Sequence, residues 1–426
     1  MLVNKKCDMA PFDMNKPPIK QKWYLMPLIW GGSWIMTRQF KLKIQKENME
    51  HFKPPYLVIS THQGFSDYYI APLALFPHRA NYVSDMEGFA AFGEWLYRAI
   101  GCIGKRRYVP DLSVVKNVKL ALESGQSVVL YPESRHCNVG TTSYIPQKIG
   151  KLVKMMQVPL VILTAHGSYL ANPFWDEEHT RKVPMEATLE GIYTAEQVAT
   201  LSAKQIQQII EEKLQYDEYA WQQPQGLKIT YKNRAEGLHK ALYQCRACEE
   251  EFSMRSGGSR LWCEKCGARW ELTEDGWLKC FERKQEHEPA GQENAATIHI
   301  PHWYEWQRKN VEKEAGRDDF ALTFQVRVEA LPNAKGFVNL GEGTLTIDEK
   351  GFDLELKEVG IEDSHLCRIY FPHHTRESVQ TEYNYRGKGM AIVLSTKDCC
   401  YYIYSDDKRF NPTKLQFAGE YFYLRG

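Results

Sequence analysis

"PYLVISTHQGFSDYYI", Pro55 to Ile70, sets an apolar run of strand length directly before His62 and places Asp67 five positions after that histidine. Three further bursts of the same kind follow: "ANYVS" (80–84), "SVVLYP" (127–132) and "VPLVILTAH" (158–166). Near-continuous apolar strands separated by helical stretches indicate a sheet covered on both faces. One intervening helix is punctuated at both ends. Asp111 is its N-cap, Val114, Val115, Val118 and Leu122 share one face, and Gly125 follows its last turn. Residues 45–235 are therefore read as an α/β domain. The long polar segment from Thr194, "TAEQVATLSAKQIQQIIEEKLQYDEYAW", is expected to close it as a single helix.

The chain has 426 residues, enough for two or three domains. Its 54 basic and 53 acidic residues give a net charge of +1, so no global field draws it to nucleic acid and any anion site must be local. The polar, proline-broken N-terminus does not have the form of a secretory signal, and with 11 cysteines the natural compartment is a reducing cytoplasm. Within residues 1–44, "WYLMPLIWGGSWIM" (Trp23 to Met36) is apolar and aromatic. It falls short of the roughly 20 residues that span a bilayer. Its three tryptophans, with Lys20 and Lys22 before it and Arg38, Lys41 and Lys43 after it, suit the headgroup layer, so it is read as an interfacial anchor at a membrane surface. The alternative is a buried N-terminal helix kinked at Pro27 and Gly31-Gly32.

Residues 240–282 have a different character. Cys245-x2-Cys248, fourteen intervening residues and Cys263-x2-Cys266-Gly267 form two thiolate pairs on tight knuckles, the spacing of a zinc ribbon. With all four positions filled by cysteine, such a Zn2+ site is structural, and the balanced charge around it favours a protein partner over nucleic acid. A charged linker (283–300) leads to residues 301–426. There Phe320, Leu322, Phe324, Val326 and Val328 alternate with polar neighbours and Asp348-Glu349-Lys350-Gly351 makes a hairpin turn, so the unit is read as a small antiparallel β domain with a terminal helix around "PTKLQFAGEYFY". Its rhythm resembles a PH-type domain on pattern alone, which implies lipid or partner recognition; a plain packing domain fits equally.

The first domain carries three further marks after His62 and Asp67, in order: "GCIGKRR" (101–107), "VVLYPESRHC" (128–137) and "VPLVIL" (158–163). This ordered set resembles the glycerolipid and lysophospholipid acyltransferase family, with its His-x4-Asp, Gly-to-Arg, Phe/Tyr-Pro-Glu-Gly-Thr-Arg and Val-Pro-apolar blocks, over about residues 25–220. Thr61 and Gly64 stand where the family usually has Asn and Ser, and Pro132-Glu133-Ser134-Arg135 is one residue shorter than the family's third block. The resemblance implies an acyltransferase-type sheet covered by helices, followed by the zinc ribbon and the β domain.

It also implies a chemistry. A fatty acyl group moves from acyl-CoA or acyl-carrier protein to the hydroxyl of a lysophospholipid, most like 1-acyl-glycerol 3-phosphate, at the inner face of the cell membrane. His62 would take the hydroxyl proton while Asp67 fixes its tautomer. Arg107 and Arg135 would grip phosphate, helped by Lys105 and Arg106. Glu133 would order these arginines or meet acceptor hydroxyls. The same residues leave open glycerol 3-phosphate or another lysolipid as acceptor, and a catalytically silent lipid-binding adaptor.

Overall fold

Leu57, Val58 and Ile59 have no contact with water, which demands a neighbouring strand on each edge and cover on each face. The computed structural model, which describes residues 9–176, 178–282, 297–357 and 367–426, supplies both. Strand β2 (Leu57–Ser60) lies between β5 (Ser127–Leu130) and β6 (Leu160–His166), parallel to both. Outside them run β3 (Ala80–Asp85) and β4 (Cys102–Lys105) on one side, and β7 (Glu186–Tyr193) and β1 (Lys43–Glu47) on the other, in the order β1-β7-β6-β2-β5-β3-β4. Strand β7 is antiparallel to β6. The sheet is thus mixed but parallel-rich. The four apolar runs are strands; β1 has no matching run because it is a largely exposed edge, and β7 has none because it alternates between half-buried and buried positions.

Helix α1 (Met26–Thr37) packs on α2 (Asp67–Ala74). It passes Gly31-Gly32 without interruption and carries Pro27 in its first turn, where the missing N–H costs nothing. It is not kinked and buries Met26, Ser33 and Thr37 while leaving the opposite side exposed, and no helix among the described residues is long and apolar enough to cross a membrane. Helices α3 (Met86–Phe92) and α4 (Glu94–Ala99) follow β3. Helix α5 (Leu112–Glu123) starts where Asp111 accepts from Ser113 N–H at 2.8 Å and ends before Gly125 at φ +81°. Helix α6 (Ile149–Met156) precedes β6.

The segment from Thr194 is not one helix but three: α7 (Ala195–Thr200), α8 (Ala203–Lys213) and α9 (Glu218–Gln222). Thr194 with Gln197 and Ser202 with Gln205 each form a reciprocal capping box, and Leu201 between them is extended. Ser/Thr followed by Gln three residues later is a start signal, and here it acts twice.

Strands β8 (Met254–Gly257), β9 (Arg260–Cys263), β10 (Arg269–Leu272), β11 (Trp277–Glu282) and β12 (Thr297–His299) form an antiparallel ribbon. Most of the expected linker, residues 283–296, lies outside the described residues. Its end does not behave as linker: residues 297–299 pair with β11 because Ile298 packs on the core, and Ile300 opens α10 (Ile300–Ala315).

The last unit is a seven-stranded antiparallel sheet ordered β16-β15-β14-β13-β19-β18-β17. It comprises β13 (Leu322–Leu331), β14 (Val338–Ile347), β15 (Gly351–Leu356), β16 (Arg368–Pro372), β17 (Gln380–Glu382), β18 (Ala391–Ser395) and β19 (Cys400–Tyr404). The terminal helix α11 (Pro412–Arg425) packs on α10. On β13 the alternation is as written in the sequence, with Phe324, Val326 and Val328 buried.

Buried polar contacts join the units. Arg106, 1 % exposed, sends its guanidinium across to the carbonyls of Lys397 (2.6 Å), Asp398 (3.0 Å) and Pro332 (3.2 Å). Trp303 of α10 donates to the Gln244 carbonyl at 2.9 Å and sets its ring 4.9 Å from Trp270 of the ribbon. The Lys414 ammonium meets Glu251 at 2.7 Å.

Candidate active site

Because β2 and β5 are parallel neighbours, the turns that leave their carboxyl ends emerge side by side, and they carry His62 and Glu133. The first turn is fixed from beneath: Thr61 N–H donates to the Leu163 carbonyl at 3.1 Å, and Gln63 Nε2 to the Ala165 carbonyl at 2.6 Å. Asp67 opens α2, and its Oδ2 accepts from the backbone N–H groups of Gln63 (2.6 Å) and Gly64 (3.0 Å). The same oxygen lies 3.4 Å from His62 Nδ1. Asp67 therefore closes the turn and faces the imidazole at once, which is what a spacing of five residues across a helix start makes possible. With its Nδ1 proton directed at Asp67, His62 keeps the lone pair on Nε2.

The imidazole sits among rings: Tyr131 and His136 each at 4.5 Å between centroids, and Tyr68 at 5.4 Å. The Tyr68 hydroxyl is 3.4 Å from Nε2. Burial, with the neighbouring His62 adding to it, holds His136 well below the usual histidine range, so it stays a neutral wall. No motif flagged Tyr68 or His136 in this role; the only signal was adjacency, Tyr68 following Asp67 and His136 following Arg135.

Glu133 has no exposure to water. Its Oε1 accepts from His62 N–H at 3.0 Å, and its Oε2 from Ser143 N–H at 2.7 Å and the Tyr216 hydroxyl at 3.1 Å. It hydrogen-bonds to neither arginine and is absent from the linings of the cavities described below. It holds the backbone of the His62 turn, and Arg135 acts on it through charge. Burial pushes its carboxyl up to about 7, against the lowering effect of these hydrogen bonds.

The basic residues divide. Lys105 and Arg107 line one small cavity with His62, Tyr68, Asp85, Tyr131 and Ser134. The Lys105 ammonium donates to Ser134 Oγ at 2.6 Å, and burial brings it down to about 8. Arg107 meets Asp85 Oδ2 at 2.5 Å, Glu87 Oε1 at 3.4 Å and Glu382 Oε1 at 3.7 Å. Two expected phosphate ligands are elsewhere. Arg106 faces the opposite way because adjacent side chains of an extended segment alternate. Arg135, 4 % exposed, follows Ser134 at φ +58° and turns to Glu420 at 3.5 Å, lining a separate cavity of about 310 Å³ with Arg308.

The His62 cavity adjoins a larger one of about 590 Å³, sharing walls at Tyr68, Val83, Ser84, Asp85 and Arg107. Its far wall is apolar and comes from α1 (Leu28, Ile29, Met36), α2 and α3, and the last unit adds Gln380, Glu382 and Tyr385. That size suits a single elongated ligand. Around its α1 side the surface keeps Trp23 74 %, Leu28 73 %, Trp34 59 % and Phe92 64 % exposed.

The four ribbon cysteines form a second cluster. Their Sγ atoms lie within 4.8 Å of one another, with Cys245–Cys266 and Cys248–Cys263 each at 3.8 Å. A tetrahedral ion with thiolate bonds of about 2.3 Å has ligand edges of about 3.8 Å, so the set fits a metal ion. Each knuckle ends in a left-handed residue, Glu249 at φ +59° and Gly267 at φ +76°.

Residues 42–166 match the model of the family described as Acyltransferase, and this segment is an acyltransferase domain. Among solved structures, the 1-acyl-sn-glycerophosphate (LPA) acyltransferase PlsC from Thermotoga maritima aligns at 13 % identity over 45 % of this chain and 77 % of its own, with a TM-score of 0.38. A structure from work on SsgB mutations and longitudinal cell division during sporulation of Streptomyces coelicolor aligns at 13 % identity over 25 % and 86 %, with a TM-score of 0.15. Scores this low carry no argument. No curated protein sequence matches the chain.

The buried Glu133 carboxyl gives a stability prediction with a definite sign. Its folded pKa, about 7, lies above the ordinary 4.5. The folded state therefore holds the proton longer than the unfolded chain, and stability falls as pH rises between those values. Glu133→Gln is expected to lack that decline, so urea melts at pH 5 and pH 7.5 should show the variant gaining on the parent at the higher pH. A constant difference between the two would refute the assignment.

Proposed function

We propose that this chain, whose residues 42–166 are an acyltransferase domain, moves a fatty acyl group from acyl-CoA or acyl-carrier protein to the hydroxyl of a lysolipid held at a membrane surface. The observation that carries the reading is the Asp67 carboxylate, fixed by two backbone N–H groups and facing His62 Nδ1, with Nε2 left for a hydroxyl in the adjoining cavity. His62 Nε2 takes the hydroxyl proton as the oxygen attacks the thioester carbonyl. The tetrahedral intermediate then expels the thiolate, and the imidazolium returns the proton to that sulfur. No protein nucleophile is needed. The apolar cavity behind Tyr68 takes an acyl chain.

The four-block resemblance implies 1-acyl-glycerol 3-phosphate as the acceptor, giving phosphatidic acid. A guanidinium already facing three carboxylates is, however, a poor receptor for a phosphate dianion. The exposed aromatic and aliphatic side chains of α1 and α3 would enter the headgroup layer, flanked by Lys20, Lys22, Arg38 and Lys41, and so set the cavity mouth against the lipid. The cysteine cluster would hold one Zn2+, supplying folding energy to the ribbon and no chemistry to the transfer.

Three outcomes are expected. His62→Ala should lower acyl transfer by at least about a hundredfold, and Asp67→Asn by a large part of that, in full-length protein shown to be folded. Near-normal turnover in His62→Ala would remove His62 from the mechanism, and absence of transfer by the folded parent would leave the lipid-binding adaptor as the better account. Leu28→Asp with Trp34→Asp should abolish flotation with anionic phospholipid vesicles without loss of secondary structure; undiminished flotation would place the membrane contact elsewhere. Metal analysis should find about one zinc per chain, and its removal by chelator should lower the melting temperature, while Cys263→Ser should not retain the ion. Metal-free protein that melts normally would exclude the site.

A further inference from the structure

Arg107 occupies the position where the family resemblance expects a phosphate-gripping arginine, yet three carboxylates surround it. Asp85, Glu87 and Glu382 approach its two terminal nitrogens at 2.5, 3.4 and 3.7 Å. Burial would lower this guanidinium, but those three charges outweigh it and hold the group well above the usual arginine range. None of the three is free to swing aside. Asp85 Oδ1 caps α3 by accepting from Gly88 N–H at 3.1 Å. Glu87 accepts from the Tyr402 hydroxyl at 2.7 Å, and Glu382 from Gln380 Nε2 at 2.8 Å. Tyr402, Gln380 and Glu382 belong to the last unit, so a part of the chain outside residues 42–166 adds one carboxylate to the two that this segment places around Arg107.

The remaining cation, Lys105, does not reverse the balance. It is committed to Ser134, and Glu377 also faces it electrostatically. A phosphomonoester brings a charge of about −1.5 to −2 at neutral pH. Placed against Arg107 it would meet the fixed carboxyl groups of Asp85 and Glu382 and that of Glu87, which burial pushes up against the pull of Arg107, and bringing further negative charge into such a site is disfavoured. A hydroxyl or ammonium group instead donates hydrogen bonds to carboxylates.

We infer that the acceptor presents a hydrogen-bond-donating headgroup, hydroxyl or ammonium, in place of a phosphomonoester, and that Glu382 of the last unit is a specificity-determining residue. The inference rests on the acyl-transfer reading of His62 and deepens it. The test uses the full chain with oleoyl-CoA and three acceptors in mixed micelles: 1-oleoyl-glycerol 3-phosphate, 1-oleoyl-glycerol and 1-oleoyl-glycerophosphoethanolamine. The phosphomonoester should be used at least about tenfold less efficiently, by kcat/KM, than the better of the other two. Which of those two leads separates hydroxyl from ammonium recognition. Glu382→Gln should raise the relative kcat/KM for the phosphomonoester by about tenfold. Glu87→Gln, which acts on the same guanidinium from the catalytic segment, should shift it the same way if Glu382→Gln does not fold. Hydrolysis of oleoyl-CoA without acceptor serves as the separate readout of the His62 machinery. Its absence in the parent, together with absence of transfer, would overturn the acyl-transfer reading and this inference with it. Intact His62-dependent hydrolysis with a preference for the phosphomonoester, or a foldable Glu382→Gln or Glu87→Gln that leaves the preference unmoved, would overturn this inference alone.

Discussion

A carboxylate shut away from water holds the site together. Glu133 receives N–H groups from the His62 turn and the Ser143 loop and a hydroxyl from Tyr216, so three segments remote in sequence converge on two oxygens. Burying such a group costs free energy unless its lone pairs are filled. Filling them fixes where His62 can be. The parallel pairing of β2 with β5 makes the meeting possible, since it brings both strands' carboxyl ends to one edge. The position of the imidazole is therefore set by the sheet and by a buried acceptor beneath its backbone, with Asp67 adding orientation.

Much of this was legible in the chain. The strands that carry His62 and Glu133 announce themselves because both faces are buried and all but one residue of each is apolar. The Asp111 cap and the cysteine spacing were equally direct, since each depends on local geometry alone. What could not be read is where long side chains end. Lys105, Arg106 and Arg107 look like one basic run, but Arg106 finds its partners more than two hundred residues away. Arg135 likewise turns to Glu420 after a left-handed Ser134. Guanidinium direction is decided by tertiary partners, and no local pattern encodes those. The break at Leu201 was different: both capping boxes were visible, and the continuous polar periodicity masked them.

The cavity shows how the units share labour. Its apolar wall comes from α1, α2 and α3, whose outward faces keep large hydrophobic residues exposed, and its polar end is shaped by Arg107 and three carboxylates. The two ends of one cavity thus differ sharply in polarity, as an amphipathic ligand requires. Gln380, Glu382 and Tyr385 close the polar end from the last sheet.

The buried Arg106 bears on how such a chain can change over time. A guanidinium whose hydrogen bonds go to carbonyls at Pro332, Lys397 and Asp398 cannot be left behind without cost when its partner sheet is removed, because it would lose those three acceptors. The segment recognisable as an acyltransferase is therefore not a cassette that recombination could move alone. The two are mutually dependent: residues 301–426 are inherited with residues 42–166 or the Arg106 tether must first be lost, so point substitution has to precede deletion.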